Sequence, residues 1–342
     1  YCLLFGLLLT SAQASTQASA QSAPDVAANV QRPAPAESAP LSAERYVLTP
    51  GGGLVIEPSI QYIHASATQV AIDGFAVIPA IAVGLINVGE VQRDSVIAAL
   101  ALRRGITNRL EVEIKVPWVW RQEQTRQREV LQGSEFDVLD DSTGQGLGDV
   151  EFGLRYQLNS GAGGSVVVGG VRVKTTTGTG PFDVRRKPLR TDEGAQVGEI
   201  FREQPTGSGF WSVQGNITFI IPTDPAVLHA NVSYLWNMPR DVGGGGGRVD
   251  PGNAIGAGLG LGLSLNARTS LSLGYDHSVV GRTRREKDIG LDPAFKRINV
   301  GTVGIGVSHR LDAARILNLG FGVGATSAAP DIQISLRMPI NL

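Results

Sequence analysis

A single cysteine stands among the 342 residues, at Cys2. A disulfide within the chain is therefore excluded, and so is a thiol nucleophile or a cysteine-built metal centre in its body. An excess of one charge is lacking as well. Thirty basic and 31 acidic residues give a formal net charge of −1, which offers nothing to a nucleic-acid backbone. No run of 18 or more apolar residues occurs, so no helix is expected to cross a membrane. Histidine appears four times, at His64, His229, His277 and His309, never at metal-ligand spacing. No Gly-x-Ser-x-Gly elbow is present. Asp276-His277-Ser278 carries hydrolase-like side chains, but neighbours along a strand point to opposite faces, so Asp276 and His277 cannot pair directly. We therefore expect neither an enzyme nor a site for a cofactor or metal.

What the chain has in abundance is alternation. Its last twelve residues, Asp331 to Leu342, place Ile332, Ile334, Leu336, Met338, Ile340 and Leu342 at every second position. A period of two puts such residues on one face of a β-strand. The pattern recurs in segments of about ten residues, the length a tilted strand needs to cross a bilayer. The expected strands are Leu54 to His64, Val96 to Arg104, Leu110 to Trp120, Gly148 to Leu158, Val166 to Lys174 and Phe210 to Ile221. Val227 to Asn237, Ile255 to Leu265, Leu271 to Val279, Ile298 to His309, Leu317 to Ala325 and Ile332 to Leu342 complete the set.

Connection lengths point the same way. Gly105 to Asn108, Asn159 to Gly164, Pro222 to Pro225, Asn266 to Arg268 and Arg310 to Ala314 are short. The connections between them are long, apart from Thr326 to Asp331. Short periplasmic turns alternating with long external loops are the habit of outer-membrane barrels. The fold class expected is all-β: a transmembrane, antiparallel, up-and-down β-barrel of about twelve strands in the bacterial outer membrane.

The N-terminal region fits export. Leu3 to Leu9 reads LLFGLLL and Ala12-Gln-Ala14 follows, an apolar core and a small-residue cleavage pattern. Residues 1–14 are expected to be a signal peptide with a truncated start. Ser15 to about Ser42 is rich in Ala, Ser, Gln and Pro, Arg45 to Gly53 looks like a transition into the fold, and residues 15–50 are expected to form a disordered periplasmic segment. The barrel is expected over 51–342.

Parity assigns the faces. Leu110, Val112, Ile114, Val116, Trp118 and Trp120 share one face, as do Val150, Phe152, Leu154, Tyr156 and Leu158, and Leu228, Ala230, Val232, Tyr234 and Trp236. These faces are expected to meet lipid. Trp118, Trp120, Tyr156, Tyr234 and Trp236 fall near strand ends, where aromatic girdles sit. The opposite face carries Glu57, Glu111, Glu113, Lys115, Asp149, Glu151, Arg155, Arg172, Lys174 and Arg337, the candidates for lining a lumen. Two readings are open: a transverse field across a pore, or a ladder of ion pairs that fills and stiffens the interior. Gly256, Gly258, Gly260, Gly262, Gly304, Gly306, Gly320, Gly322 and Gly324 fall on the inward face of later strands, leaving a wall without side chains.

Two segments break the pattern. Gly74 to Ile86 is too apolar for a solvated loop and is expected to extend the first hairpin, enter the lumen or rest on the outer leaflet. In the tenth strand the parity slips between Ile298-Val300 and Val303-Ile305-Val307, which predicts a bulge. The basic loop Gly281 to Arg297 suits either lipopolysaccharide phosphates or plain solvation.

The segment Gly146-Leu-Gly-Asp-Val-Glu-Phe-Gly-Leu-Arg-Tyr156 resembles the Gly-x-Gly-Asp strand entry of a bacterial outer-membrane transporter family of the phenol meta-degradation pathway. Gly53 to Ser59, Pro205 to Trp211 and Tyr275 to Ser278 are similar to its members too. The resemblance implies a barrel over roughly Gly53 to Leu342 and carries over no site residues. The usual terminal Phe of the insertion signal is replaced by Leu342. The function expected is a channel or transporter passing small molecules, aromatic or hydrophobic ones included, by passive diffusion through the lumen. The alternative is a non-conducting structural or accessory protein that binds a surface or secretion partner. Expected partners are outer-membrane lipid, lipopolysaccharide, the barrel-assembly machinery and small-molecule solutes, with the chain a monomer.

Overall fold

The computed structural model describes residues 48–66, 72–73, 76–77, 91–128, 137–160, 164–190, 196–224, 226–243, 247–285 and 297–342. The expected signal peptide, most of the expected unstructured segment, most of 74–86 and residues 286–296 lie outside the described residues.

Twelve strands form one antiparallel sheet: β1 (Leu54–Ala65), β2 (Val91–Thr107), β3 (Leu110–Arg128), β4 (Glu151–Gln157), β5 (Val166–Lys174), β6 (Ser212–Pro222), β7 (Ala226–Asn237), β8 (Ala254–Asn266), β9 (Thr269–Val280), β10 (Ile298–Arg310), β11 (Ile316–Gly324) and β12 (Ile332–Arg337). Each pairs with its successor, and β12 pairs back onto β1 with Ser59 opposite Arg337. After Met338-Pro339 the chain pairs again, Ile340 with Ile56 and Asn341 with Val55. The sheet closes on itself, so no row of backbone donors and acceptors faces hydrocarbon.

The outward face is apolar over the middle of the strands. Leu100, Leu154, Val232, Leu259, Leu273, Ile305 and Leu319 are 45–67 % exposed. So much apolar surface in one continuous belt belongs in lipid, not water. Connections at one end are short; Asn108-Arg109 and Ala267-Arg268 are two-residue turns. At the β10–β11 turn the Arg315 side chain bonded to Asp312 holds that carboxyl below its ordinary range. The backbone amides of Ala314 and Arg315 also donate to it, at 2.9 and 2.8 Å.

Three expectations need correction. β10 has no bulge: its register on β9 is unbroken from Ile298 opposite Val280 to His309 opposite Thr269. Ile298 and Val300 point inward because the inner face is itself apolar at the long-loop end. There Val280 packs with Leu235, Ala254 and Ile298, and Val300 packs with Ala328 and Ala329. Register shifts occur instead at two tight hairpins, between Gly105 and Thr107 and between Ser264 and Asn266. Second, the fourth strand does not begin at Gly148. Gly148–Val150 leaves the ladder, while Asp137–Leu147 pairs with the far end of β3 and Glu151–Gln157 with the near end. Third, Leu48, Thr49 and Pro50, placed by composition in the unstructured segment, are ordered. The Thr49 amide donates to Glu111 Oε2 at 2.7 Å, and Gly105 lets Thr49 and Pro50 lie against the inner wall. Of 74–86, only Ala76–Val77 is described; it pairs with Ile72–Asp73 and not with the barrel.

The faces can be tested on one strand. Val232 points to lipid and Ser233 points inward beside Gly256. Val232→Arg places a cation in hydrocarbon at a cost of about 2–4 kcal/mol and should deplete folded barrel from the outer membrane. Ser233→Arg should assemble. Heat-modifiable mobility of outer-membrane fractions reads both; equal losses would refute the assignment.

Candidate functional site: the barrel lumen

The inner surface has two unlike walls. β1 to β5 carry long ionisable side chains. Arg103 donates to Glu57 at 2.5 Å, and Arg337 reaches the same carboxylate at 3.9 Å across the closing seam. Glu151 stands between Lys115 at 3.9 Å and Arg172 at 3.7 Å. Arg155 Nε donates to Glu111 Oε1 at 2.9 Å. Nearer the long-loop end, Arg93 Nε donates to Glu123 at 2.8 Å. At Glu111, Glu123 and Glu151 the carboxylate stays against the wall while the longer cationic stems lean past it; at Glu57 the order is reversed, Arg103 being the more buried partner.

Nine of the ten lumen candidates lie on inward-facing positions of β1, β3, β4, β5 and β12. The tenth, Asp149, sits in the break before β4. Glu113 lies opposite Arg103 and has no ion pair among the described residues. Sequence reasoning missed Arg93, Arg103, Arg121 and Glu123. Extending the alternation of β2 and β3 beyond the bilayer-length window would have found Arg93, Arg121 and Glu123; Arg103 lay inside the expected strand Val96 to Arg104, on its inward parity. The same parity places His229 and Asp276 inward. His277 points outward, with its Nδ1 2.9 Å from the Tyr275 hydroxyl, so Asp276 and His277 do not pair.

The second wall, β8 to β11, is almost bare. Gly260, Gly274, Gly304 and Gly322 lie side by side in register, with His229 at one end of the row and Gln333 at the other. Some of the neighbouring glycines are covered: Ser233 and Ser278 lean over Gly256, Asp276 and Asn231 over Gly258, His229 over Gly260. Gly304 is open. A Cβ there would meet nothing nearer than 3.9 Å, so packing does not require that glycine, and its absent side chain leaves space inside the barrel.

Of the girdle candidates, Tyr234 and Trp236 are exposed at the long-loop end of β7, whereas Trp118, exposed, and Trp120, half-exposed, lie midway along β3. Tyr156 is exposed near the short-turn end. Tyr62 and Tyr275 lie outward near the long-loop end as well, and the Tyr62 hydroxyl donates to Asp94 at 2.6 Å.

At the level of Trp118 and Trp120, residues 203–210 lie as a strap on the inner wall. Arg121, fully buried, donates to the Pro205 carbonyl at 2.6 Å. Gln204 donates to Ser142 at 2.8 Å, and only a glycine at Gly144 leaves room for the Gln204 backbone. The strap is latched at the break before β4. Asp149 accepts from Lys174 Nζ at 2.9 Å, from the Ser208 amide at 2.8 Å, from the Ser208 hydroxyl at 2.7 Å and from the Gly178 amide at 3.2 Å. The Gly146-Leu-Gly-Asp149 motif thus has a structural meaning. Gly148 packs under Pro117 and Val119 of β3, the carboxylate of Asp149 ties both loops to the wall, and the loops meet each other at Gly178 and Gly207.

Lys174 and Asp149 are almost wholly buried. Removing one partner leaves an uncompensated charge and costs about 3–5 kcal/mol. Lys174→Gln and Asp149→Asn should each lower the unfolding temperature and speed tryptic cleavage at Arg202. The double variant should recover part of the loss. Limited proteolysis and thermal melts of the purified protein check this; wild-type behaviour of both single variants would show that the latch holds nothing.

No family model matches the chain. Among solved structures it is similar to an outer-membrane channel from Pseudomonas putida F1, with 16 % identity over 87 % of this chain and 98 % of that one and a TM-score of 0.56. Looser likenesses, at 10 % identity each, are to the translocator domain of the autotransporter NalP from Neisseria meningitidis and to the toluene transporter TbuX from Ralstonia pickettii. The former has a TM-score of 0.45 over 88 % of this chain and 91 % of that one, the latter 0.42 over 85 % and 89 %. With its closed ladder, its apolar belt and the first of these likenesses, the chain has the fold of an outer-membrane β-barrel.

Proposed function

We propose that the barrel is an outer-membrane channel that passes small molecules, aromatic or hydrophobic ones among them, by passive diffusion through its lumen. One observation carries this reading. The cationic heads of the inner wall are wet, Lys115 being 33 % and Arg172 31 % exposed, whereas a closed ion-pair ladder would bury both partners. Among the described residues no side chain stands over Gly304 on the bare wall of β8 to β11. The Pseudomonas putida F1 neighbour is itself described as a channel, and the Gly146 to Tyr156 resemblance to transporters of the phenol meta-degradation pathway belongs to the same reading. The chain acts as a monomer and catalyses no reaction. Its partners are lipid, lipopolysaccharide, the assembly machinery and its solutes.

A second reading, a non-conducting structural or accessory barrel, draws on the two inner straps. Leu48 to Gly53 lies at the short-turn mouth and residues 203–210 at the other end. Planar-bilayer recordings of the purified protein separate the two. Under the channel reading, wild type gives discrete current steps, and Gly304→Trp, which fills the bare wall, lowers them. Absence of any step from properly folded protein would favour the structural reading.

A further inference from the structure

The inner wall is close to balanced in charge but not in what it shows to a solute. Two carboxylates are each flanked by two cations. Glu57 lies between Arg103 and Arg337, and Glu151 between Lys115 and Arg172. Glu113 lies opposite Arg103, so the Glu57 group is balanced, whereas at Glu151 two cations share one carboxylate. Burial sharpens the asymmetry. Glu151 and Glu111 are 5 % and 0 % exposed, whereas the heads of Lys115, Arg172, Arg337 and Arg155 reach the lumen. A passing ion meets the cationic ends first, and the wall behind them is too low in polarity to screen them fully.

Two inward carboxylates work against this field. Glu113 lies on β3, and Asp276 is exposed on the bare wall without an ion pair among the described residues. Neither stands within ion-pairing distance of Lys115, Arg172 or Arg337. The field thus points across the lumen, from the cations of β3, β5 and β12 toward Asp276 on β9.

We propose that the lumen is anion-selective and that its preferred solutes are small organic acids in their carboxylate form, met by Lys115, Arg172 and Arg337. An apolar or aromatic body attached to the carboxylate fits beside the bare strands, which present backbone and no competing side chain. This rests on the channel reading, and it fails separately from it.

The test is the reversal potential of the purified full chain in a planar bilayer under a potassium chloride gradient, repeated with potassium benzoate and with benzylammonium chloride. A lumen potential of about one kT, modest for a charged protein cleft, favours a monoanion over a monocation roughly sevenfold. Chloride and benzoate should accordingly carry most of the current, and benzylammonium little. Asp276→Asn, which keeps the shape of the side chain beside Asn231 over Gly258, should raise the anion preference. The triple variant Lys115→Gln, Glu151→Gln, Arg172→Gln removes both ion pairs of Glu151 together and should lower the preference toward unity. Cation preference in wild type, or selectivity unchanged in both variants, would overturn the proposal while leaving a channel in place. No current at all from folded wild type would overturn the channel reading and this proposal with it.

Discussion

Closure of the hydrogen-bonded ladder is the constraint on which everything else depends. Hydrocarbon offers no partner to a backbone amide, and each unsatisfied group costs several kcal/mol. β12 must therefore pair with β1 in register, Ser335 opposite Gln61 and Arg337 opposite Ser59. That one seam decides which residues meet. It brings Arg337, near the end of the chain, within 3.9 Å of Glu57 near the start of the barrel. It also fixes the inward and outward faces of all twelve strands together, because a slip of one residue anywhere would turn an apolar set into the lumen.

With the wall fixed, the interior follows from side-chain length. Carboxylates on β3 and β4 such as Glu111 and Glu151 stay at the wall, and the longer side chains of Arg155, Lys115 and Arg172 pass them. The ion pairs therefore satisfy the wall and wet the lumen at once. The bare glycines of β8 to β11 are the counterpart. Glycine weakens a strand, yet here the closed ladder holds the strands on both sides, so the missing side chains cost order locally without opening the sheet. Among the described residues, one side of the inner wall carries long ionisable side chains and the other is largely glycine.

The straps obey a different rule. They are loop backbone lying on strand backbone, which needs glycine at the points of contact and buried partners for the polar groups. Gly105 and Gly144 give the room, and Glu111, Arg121 and Asp149 supply the partners. The cost of burying Lys174 is offset because Asp149, Ser208 and the Phe210 carbonyl surround it.

Much of this was legible in the sequence. A period of two, repeated in bilayer-length segments with short and long connections alternating, determines strand existence, face and order, because lipid punishes every exception. Nine of the ten ionisable candidates sit on strands where parity put them, and Asp149 lies in the break before β4. What parity could not tell was who pairs with whom. Glu57 with Arg337, Asp149 with Ser208 and Arg121 with Pro205 are contacts between residues far apart in the chain, set by closure and by loops folding inward. Nor could it read Ile298 and Val300, whose apolar side chains looked like a slip of register. They are inward residues at a level where the lumen gives way to a small core with Ala328 and Ala329. Local alternation determines the wall because each strand faces the same two solvents; the furnishing of the interior was decided only by tertiary structure, because it depends on which distant segments the closed wall brings together.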